Sequence, residues 1–184
     1  EKKKIHFKKV KNNIRSLTNM LNDTLTISRI EENTNELEII SFDLMDLIQE
    51  VIEESEGLRK ENQEIVINYA YDNQVSTDRK MLKTVLVNIL SNAIKYSEEN
   101  VMFGVAKDEN NIILKIDDRG IGIPEKDQQH LFERFYRANN ASNFQGTGLG
   151  LNIVSSYISF LKGEIKIQSK ENLGTNVSIK IPNL

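Results

Sequence analysis

From Phe7 the apolar residues fall at Phe7, Val10, Ile14, Leu17 and Leu21, a spacing that holds one narrow seam along one side of a helix. A lone helix cannot bury such a seam, so the segment to about Ile30 is predicted to pack in a coiled coil or helical bundle, across a homodimer in the parent protein. The polar run "EENTNE" then reads as a linker. Beyond it, two-residue and 3.6-residue hydrophobic periods alternate, which a continuous bundle does not show. The chain therefore divides into residues 1–33, one helix of a helical assembly, and residues 34–184, an α+β domain large enough for a single core.

Within the second part, "EIISF" is a strand and Asp43 caps a helix carrying Leu44, Leu47, Ile48, Val51 and Ile52. "EIVINYAY" is a strand, and a helix from near Asp78 presents Met81, Leu82, Val85, Leu86, Ile89, Leu90 and Ala93 on one broad face. Val101, Phe103 and Val105, the turn "DENN", and Ile112, Leu114 and Ile116 make a hairpin. A glycine-rich turn, a short helix near 125–134, a polar loop, the helix "LGLNIVSSYISFL" and the strands "GEIKIQS" and "TNVSIKI" complete the reading.

Composition narrows the chemistry. With no cysteine and only His6 and His130 among the histidines, neither a disulfide framework nor a zinc site is expected. A net charge of -3 and a pI near 5.6 argue against nucleic acid as a partner. No stretch approaches the ~20 apolar residues of a membrane span and no signal peptide opens the chain, so a cytosolic location is expected. Six lysines in the first eleven residues read as a solvated helix face, with an anionic surface as the alternative. A chain that starts at Glu1 reads as a piece of a longer protein.

Three constellations carry possible chemistry. In "NILSNAIKYS", Asn88, Asn92, Lys95 and Tyr96 stand at i, i+4, i+7 and i+8, one stripe along the edge of the apolar face. Two amides there imply either local hydrogen bonds or a ligand that supplies them, and a carboxamide oxygen also suits Mg²⁺. In "DDRGIGIP", Gly120 and Gly122 let a ligand approach the main chain, and a strand-end aspartate can accept from an exocyclic amine; a simple turn is the alternative. In "GTGLGLNIV", Gly146, Gly148 and Gly150 lead into a helix, which is either a structural turn or a phosphate cradle. It is neither a Walker loop nor a dinucleotide fingerprint. Between the glycine motifs lies "HLFERFYRANNASNFQ", a lid-like segment in which Phe132 and Phe135 can anchor and Arg134 and Arg137 can reach phosphates.

Taken in this order, the motifs resemble those of the catalytic ATP-binding domain of sensor histidine kinases, in the superfamily that also holds gyrase-type topoisomerases, MutL and heat-shock chaperone ATPases. "NILSNAIKYS" is similar to the N box, "DDRGIGIP" to the first glycine box, "LFERFYR" to the F box and "GTGLGL" to the second glycine box. "LNDTLTISRIEEN" looks like the second helix of the dimerisation and histidine-phosphotransfer hairpin. The implied fold is a Bergerat-type two-layer sandwich of a mixed β-sheet and about three helices, preceded by a long N-terminal helix.

The resemblance implies that Asn92 ligates Mg²⁺ and that Asn88 supports the metal water and the phosphates. Lys95 and Tyr96 line the phosphate and nucleoside side, and Asp118 reads the adenine amino group. Gly120 and Gly122 admit the base, with Thr175 beside it, while Gly146, Thr147, Gly148, Leu149 and Gly150 form the phosphate end. Arg137 meets the γ-phosphate. Asn88, Lys95 and Arg137 are the implied catalytic groups, in a reaction dominated by positioning and charge neutralisation. A response regulator receiver domain is the implied partner and a bacterium the implied source, with membrane anchoring of the parent left open.

One departure stands out. The acceptor histidine of the family lies in H-E-[FL]-[RK]-x-P, whereas His6 is followed by "FKKVK". The chain is thus expected to bind ATP without phosphorylating itself, its acceptor lying upstream. Three other readings are a superfamily ATPase, a serine kinase of the anti-sigma type and a degenerate module that serves as a non-enzymatic docking platform, the last opposed by the intact boxes. The ATPases carry a glutamate base where Asn88 stands, so an amide there favours phosphotransfer.

Overall fold

The computed structural model describes residues 2–32, 36–69, 74–108 and 110–184; in the first helix it describes side chains at Val10, Ile14, Leu17, Thr18 and 20–30. That helix, α1 (Lys2–Glu31), runs as one piece. Its stripe is exposed at Val10, Ile14, Leu17 and Leu21, whereas Ile27, near the other end, is buried. The side chain of Phe7, that of His6 and the boundary placed at residue 33 lie outside the described residues.

The rest forms two layers. β1 (Ile39–Asp43) leads into α2 (Leu44–Ser55). Asp43 caps that helix by accepting from the Met45 N–H at 2.7 Å and the Asp46 N–H at 3.3 Å, satisfying two of the donors every helix start leaves open. β2 (Ile65–Tyr69) and β3 (Gln74–Asp78) follow, then α3 (Arg79–Tyr96). The chain continues through β4 (Val101–Lys107), β5 (Asn111–Asp118), α4 (Glu125–Gln128), α5 (Gly150–Phe160), β6 (Glu164–Lys170) and β7 (Gly174–Pro182). Five strands form one sheet in the order β2-β4-β5-β7-β6, while β1 and β3 pair separately. β2 runs parallel to β4 and the other pairs are antiparallel, so the sheet is mixed.

Alternation along the strands sets the core. Val101, Phe103 and Val105, Ile112, Leu114 and Ile116, and Val177, Ile179 and Ile181 share one cluster with the apolar faces of α2, α3 and α5. Each such side chain, once fully buried, contributes about 1.5–3 kcal/mol. The expected α+β sandwich is the architecture found, with α2, α3 and α5 as its three main helices.

Three expectations are corrected. β3 was not anticipated, because "QVSTD" is short and polar; its pairing with β1, from Ile39 opposite Asp78 to Asp43 opposite Gln74, supplies the order that its own pattern lacks. The helix expected near 125–134 ends at Gln128 and gives way to turns. Phe135, expected as an anchor, is 60% exposed at a φ of 62°.

What stops α3 matters for the site. Gln63, fully buried, donates its Nε2 hydrogens to the carbonyls of Ser97 (3.1 Å) and Glu99 (3.0 Å), and Lys60 Nζ reaches the carbonyls of Lys95 and Ser97. These donors meet carbonyls at and just past the helix end, where the last ones lack helical partners. They hold the turn that carries Lys95 and Tyr96.

Candidate active site

α3, the loop after β5, the segment between α4 and α5, and the start of α5 enclose a cavity of about 220 Å³. Asn88, Asn92, Lys95 and Tyr96 line it from α3, and Asp118, Gly122 and Thr175 from the sheet end. Arg137, Gly146, Thr147, Gly148 and Gly150 line it from the lid side. Four separate stretches of sequence therefore meet in one place.

On α3, the amide of Asn88 donates to the Thr84 carbonyl at 2.9 Å. Its oxygen is left facing the first turn of α5, where a Cβ on Gly150 would come within 2.5 Å of Oδ1. Glycine leaves room for that oxygen at the start of α5, which stands beside the N-box stripe. Lys95 Nζ sits 4.2 Å from the ring centroid of Tyr96. Burial, followed by the positive charge of Arg137, brings its pKa down to about 8. Tyr96 meets Phe144 edge to face, with centroids 5.0 Å apart.

At the sheet end, Asp118 is 8% exposed and Oδ1 accepts from the Gly120 N–H at 2.8 Å. Burial pushes its pKa up to about 6, against the pull of backbone hydrogen bonds from Gly120 and Thr175. Thr175 is the cross-strand partner of Asp118, and its hydroxyl shares a 2.9 Å hydrogen bond with Ser169. A Cβ on Gly120 would stand 2.3 Å from the Tyr96 carbonyl oxygen, so this loop packs directly on the end of α3. Gly120 itself does not line the cavity.

The lid is tied down by residues that sequence reasoning missed. Asp127, buried, accepts from the Tyr136 hydroxyl, the Asn139 N–H and the Asn139 Nδ2, each at 2.9 Å. Asn140 donates through Nδ2 to the Gly122 carbonyl at 2.9 Å, while its Oδ1 is buried without a partner among the described residues. Arg137 donates to the carbonyls of Ala141 (2.6 Å) and Phe144. No pattern in the sequence marks Asp127 or Asn140, because each works through contacts made by a folded loop. Besides Gly120, two expected residues stand elsewhere. Arg134 does not line the cavity. The Leu149 side chain is buried with Ile27 and Ile153 on the side toward α1.

The donor set fits a nucleotide with a phosphate tail. A buried carboxylate suits an exocyclic amine, the Asn140 oxygen can accept from a ligand, and Lys95, Arg137 and the α5 start provide positive potential for phosphates. For a divalent cation, Asn92 offers one neutral oxygen. No group of three or more His, Cys, Asp or Glu able to hold a metal occurs among the described residues, so the remaining ligands would come from phosphate and water.

Comparison with known proteins agrees with this geometry. Residues 77–184 match the family of histidine kinase-, DNA gyrase B- and HSP90-like ATPases, and the chain belongs to that family. It is 30% identical over 190 residues to the circadian input-output histidine kinase CikA of Synechococcus elongatus, covering 99% of this chain and 25% of that protein. It is 31% identical over 178 residues to the sensor histidine kinase WalK of Bacillus subtilis, covering 93% and 29%. The solved structure of the Acinetobacter baumannii histidine kinase AdeS matches with a TM-score of 0.78 at 28% identity, over 96% of this chain and 83% of that one. The chain thus spans less than a third of the length of CikA and WalK. No helix among the described residues is long and apolar enough to cross a membrane.

Proposed function

We propose that this chain is the ATP-binding catalytic part of a bacterial sensor histidine kinase. It holds Mg²⁺–ATP and transfers the γ-phosphoryl group to a histidine on a helix outside the chain, for relay to an aspartate of a response regulator receiver domain. The observation that carries the reading is that Asn92, on α3, and Asp118, at the end of β5, line one cavity. Asp118 accepts from the adenine amine, and Thr175 and Gly122 border the base. Asn92 gives one oxygen to Mg²⁺, and Asn88 steadies the water and phosphate around it. Lys95 and Arg137 neutralise the phosphate tail while the acceptor nitrogen attacks the γ-phosphorus and the bond to the β-phosphate oxygen breaks, releasing ADP.

Asn88 separates this reading from a hydrolytic ATPase. A carboxamide whose nitrogen is tied to Thr84 and whose oxygen faces Gly150 cannot take a proton from water. The exposed stripe Val10, Ile14, Leu17 and Leu21 supports pairing of α1 in a homodimeric helical bundle of the parent. Neither His6 nor His130 is the acceptor in this scheme. With γ-labelled ATP, the parent protein is expected to gain acid-labile, base-stable label and this chain alone none. Steady release of phosphate by the chain, abolished by Asn88→Ala, would instead make it a hydrolase.

A further inference from the structure

Asp23, on α1, has no part in the chemistry above, yet it lines the same cavity. Its Oδ2 accepts from the Thr147 hydroxyl at 2.9 Å, and the Thr147 oxygen in turn accepts the Leu149 N–H at 3.3 Å, just ahead of α5. One turn further along α1, Ile27 is 6% exposed against Leu149 and Ile153, which fixes the helix at this height. A carboxylate brought from a remote helix therefore lines the cavity beside Thr147, whose neighbour Gly146 stands close to Lys95: a Cβ there would lie 3.1 Å from Lys95 Nζ. Among the described residues, no ion pair to Asp23 accompanies that hydroxyl contact. Desolvation raises its pKa, as for a carboxylate drawn from water toward a neutral partner.

We propose that Asp23 is a specificity residue for the length of the phosphate tail: it holds, as a resident anion, ground that a γ-phosphate needs, so a triphosphate must displace it and a diphosphate need not. This rests on reading the cavity as an ATP site. Two negative charges within a few ångströms at a half-exposed site change affinity on the order of fivefold. The displaced carboxylate frees the Thr147 hydroxyl to donate to phosphate and removes the polar tie between Asp23 and the lid. Occupancy by the longer nucleotide and docking of α1 are then antagonistic, and by linkage each weakens the other by the same factor.

Titration calorimetry with the nonhydrolysable triphosphate AMPPNP and with ADP, each with Mg²⁺, tests this on the wild type and Asp23→Asn. The variant keeps an acceptor for Thr147 while losing the charge. AMPPNP is expected to tighten about 3- to 10-fold and ADP less than 2-fold. Hydrogen exchange on the wild type gives an independent reading: amides from Asp23 to Ile27 are expected to exchange faster with AMPPNP than with ADP. Equal changes for both nucleotides, no change, or weaker AMPPNP binding by the variant would overturn the proposal while leaving the ATP site intact. A wild-type chain that binds neither nucleotide would remove the ATP reading as well.

Discussion

The Tyr96 carbonyl accepts the Ile121 N–H at 3.1 Å, and this one hydrogen bond ties the end of α3 to the loop after β5. The Lys95 and Tyr96 part of the cavity wall and the Asp118 part are thereby held in register. Gly120, next to Ile121, makes the approach possible.

Gly120→Ala should therefore disturb both sides together. The added methyl would lie 2.3 Å from the Tyr96 oxygen, a backbone atom that cannot swing away, and overpacking of this kind costs about 1–3 kcal/mol. Urea denaturation is expected to show a lowered midpoint, with nucleotide affinity falling at least tenfold. An unchanged midpoint with wild-type affinity would mean that the loop and helix are not coupled in this way.

Asp118 should trade stability for binding. Its folded pKa, about 6, lies above the ordinary carboxylate value, so between roughly pH 4 and 6 the unfolded chain releases a proton that the folded chain keeps. Stability attributable to this group is present at low pH and is lost as pH rises through that window. Asp118→Asn should accordingly melt higher than the wild type at pH 8, with the advantage gone at pH 4, while binding ATP poorly. A variant less stable at pH 8 would contradict the assigned cost of burial.

Lys95 should reveal itself by proton uptake. With a pKa near 8, set by burial and then by Arg137, it is largely neutral at pH 8.5, and a phosphate tail beside it restores the charge. Calorimetry at that pH in buffers of different ionisation enthalpy is expected to register up to about one proton taken up per nucleotide, and none for Lys95→Met. Buffer-independent heats for the wild type would rule this out.

The lid should depend on Asp127. Asp127→Ala leaves the Tyr136 hydroxyl and Asn139 amides without their shared acceptor, at a cost of about 1–3 kcal/mol for each donor left buried. Limited proteolysis is expected to cut faster between residues 130 and 148, and affinity for ATP to drop severalfold. Equal protease resistance in the two proteins would show that other contacts hold the lid.

The sequence made the framework readable where local pattern and tertiary role coincide. Val101 to Ile116 alternate because one face of the hairpin lies on the helices, and Asp43 and Asp78 announce helix starts because capping is local chemistry. The N-box stripe was legible for the same reason: four residues on one helical edge must share a neighbour. What stayed hidden is non-local. β3 is a strand because β1 pairs with it, Asp127 is a lid anchor because a turn carries Tyr136 and Asn139 back to it, and Asp23 reaches the cavity only because Ile27 seats α1 on α5. Leu149 sits within a glycine motif yet packs its side chain against Ile27 and Ile153, a contact visible only once α1 is seated on α5.

The most direct measurement is calorimetric titration of Mg²⁺–AMPPNP into the wild-type chain, Asp118→Asn and Asn92→Ala, repeated without Mg²⁺. One site per chain is expected, weakened at least tenfold by Asp118→Asn with or without the metal and by Asn92→Ala only when the metal is present. Wild-type affinity in both variants, or a loss in Asn92→Ala that ignores Mg²⁺, would contradict the proposed roles of Asp118 at the base and Asn92 at the metal within one cavity.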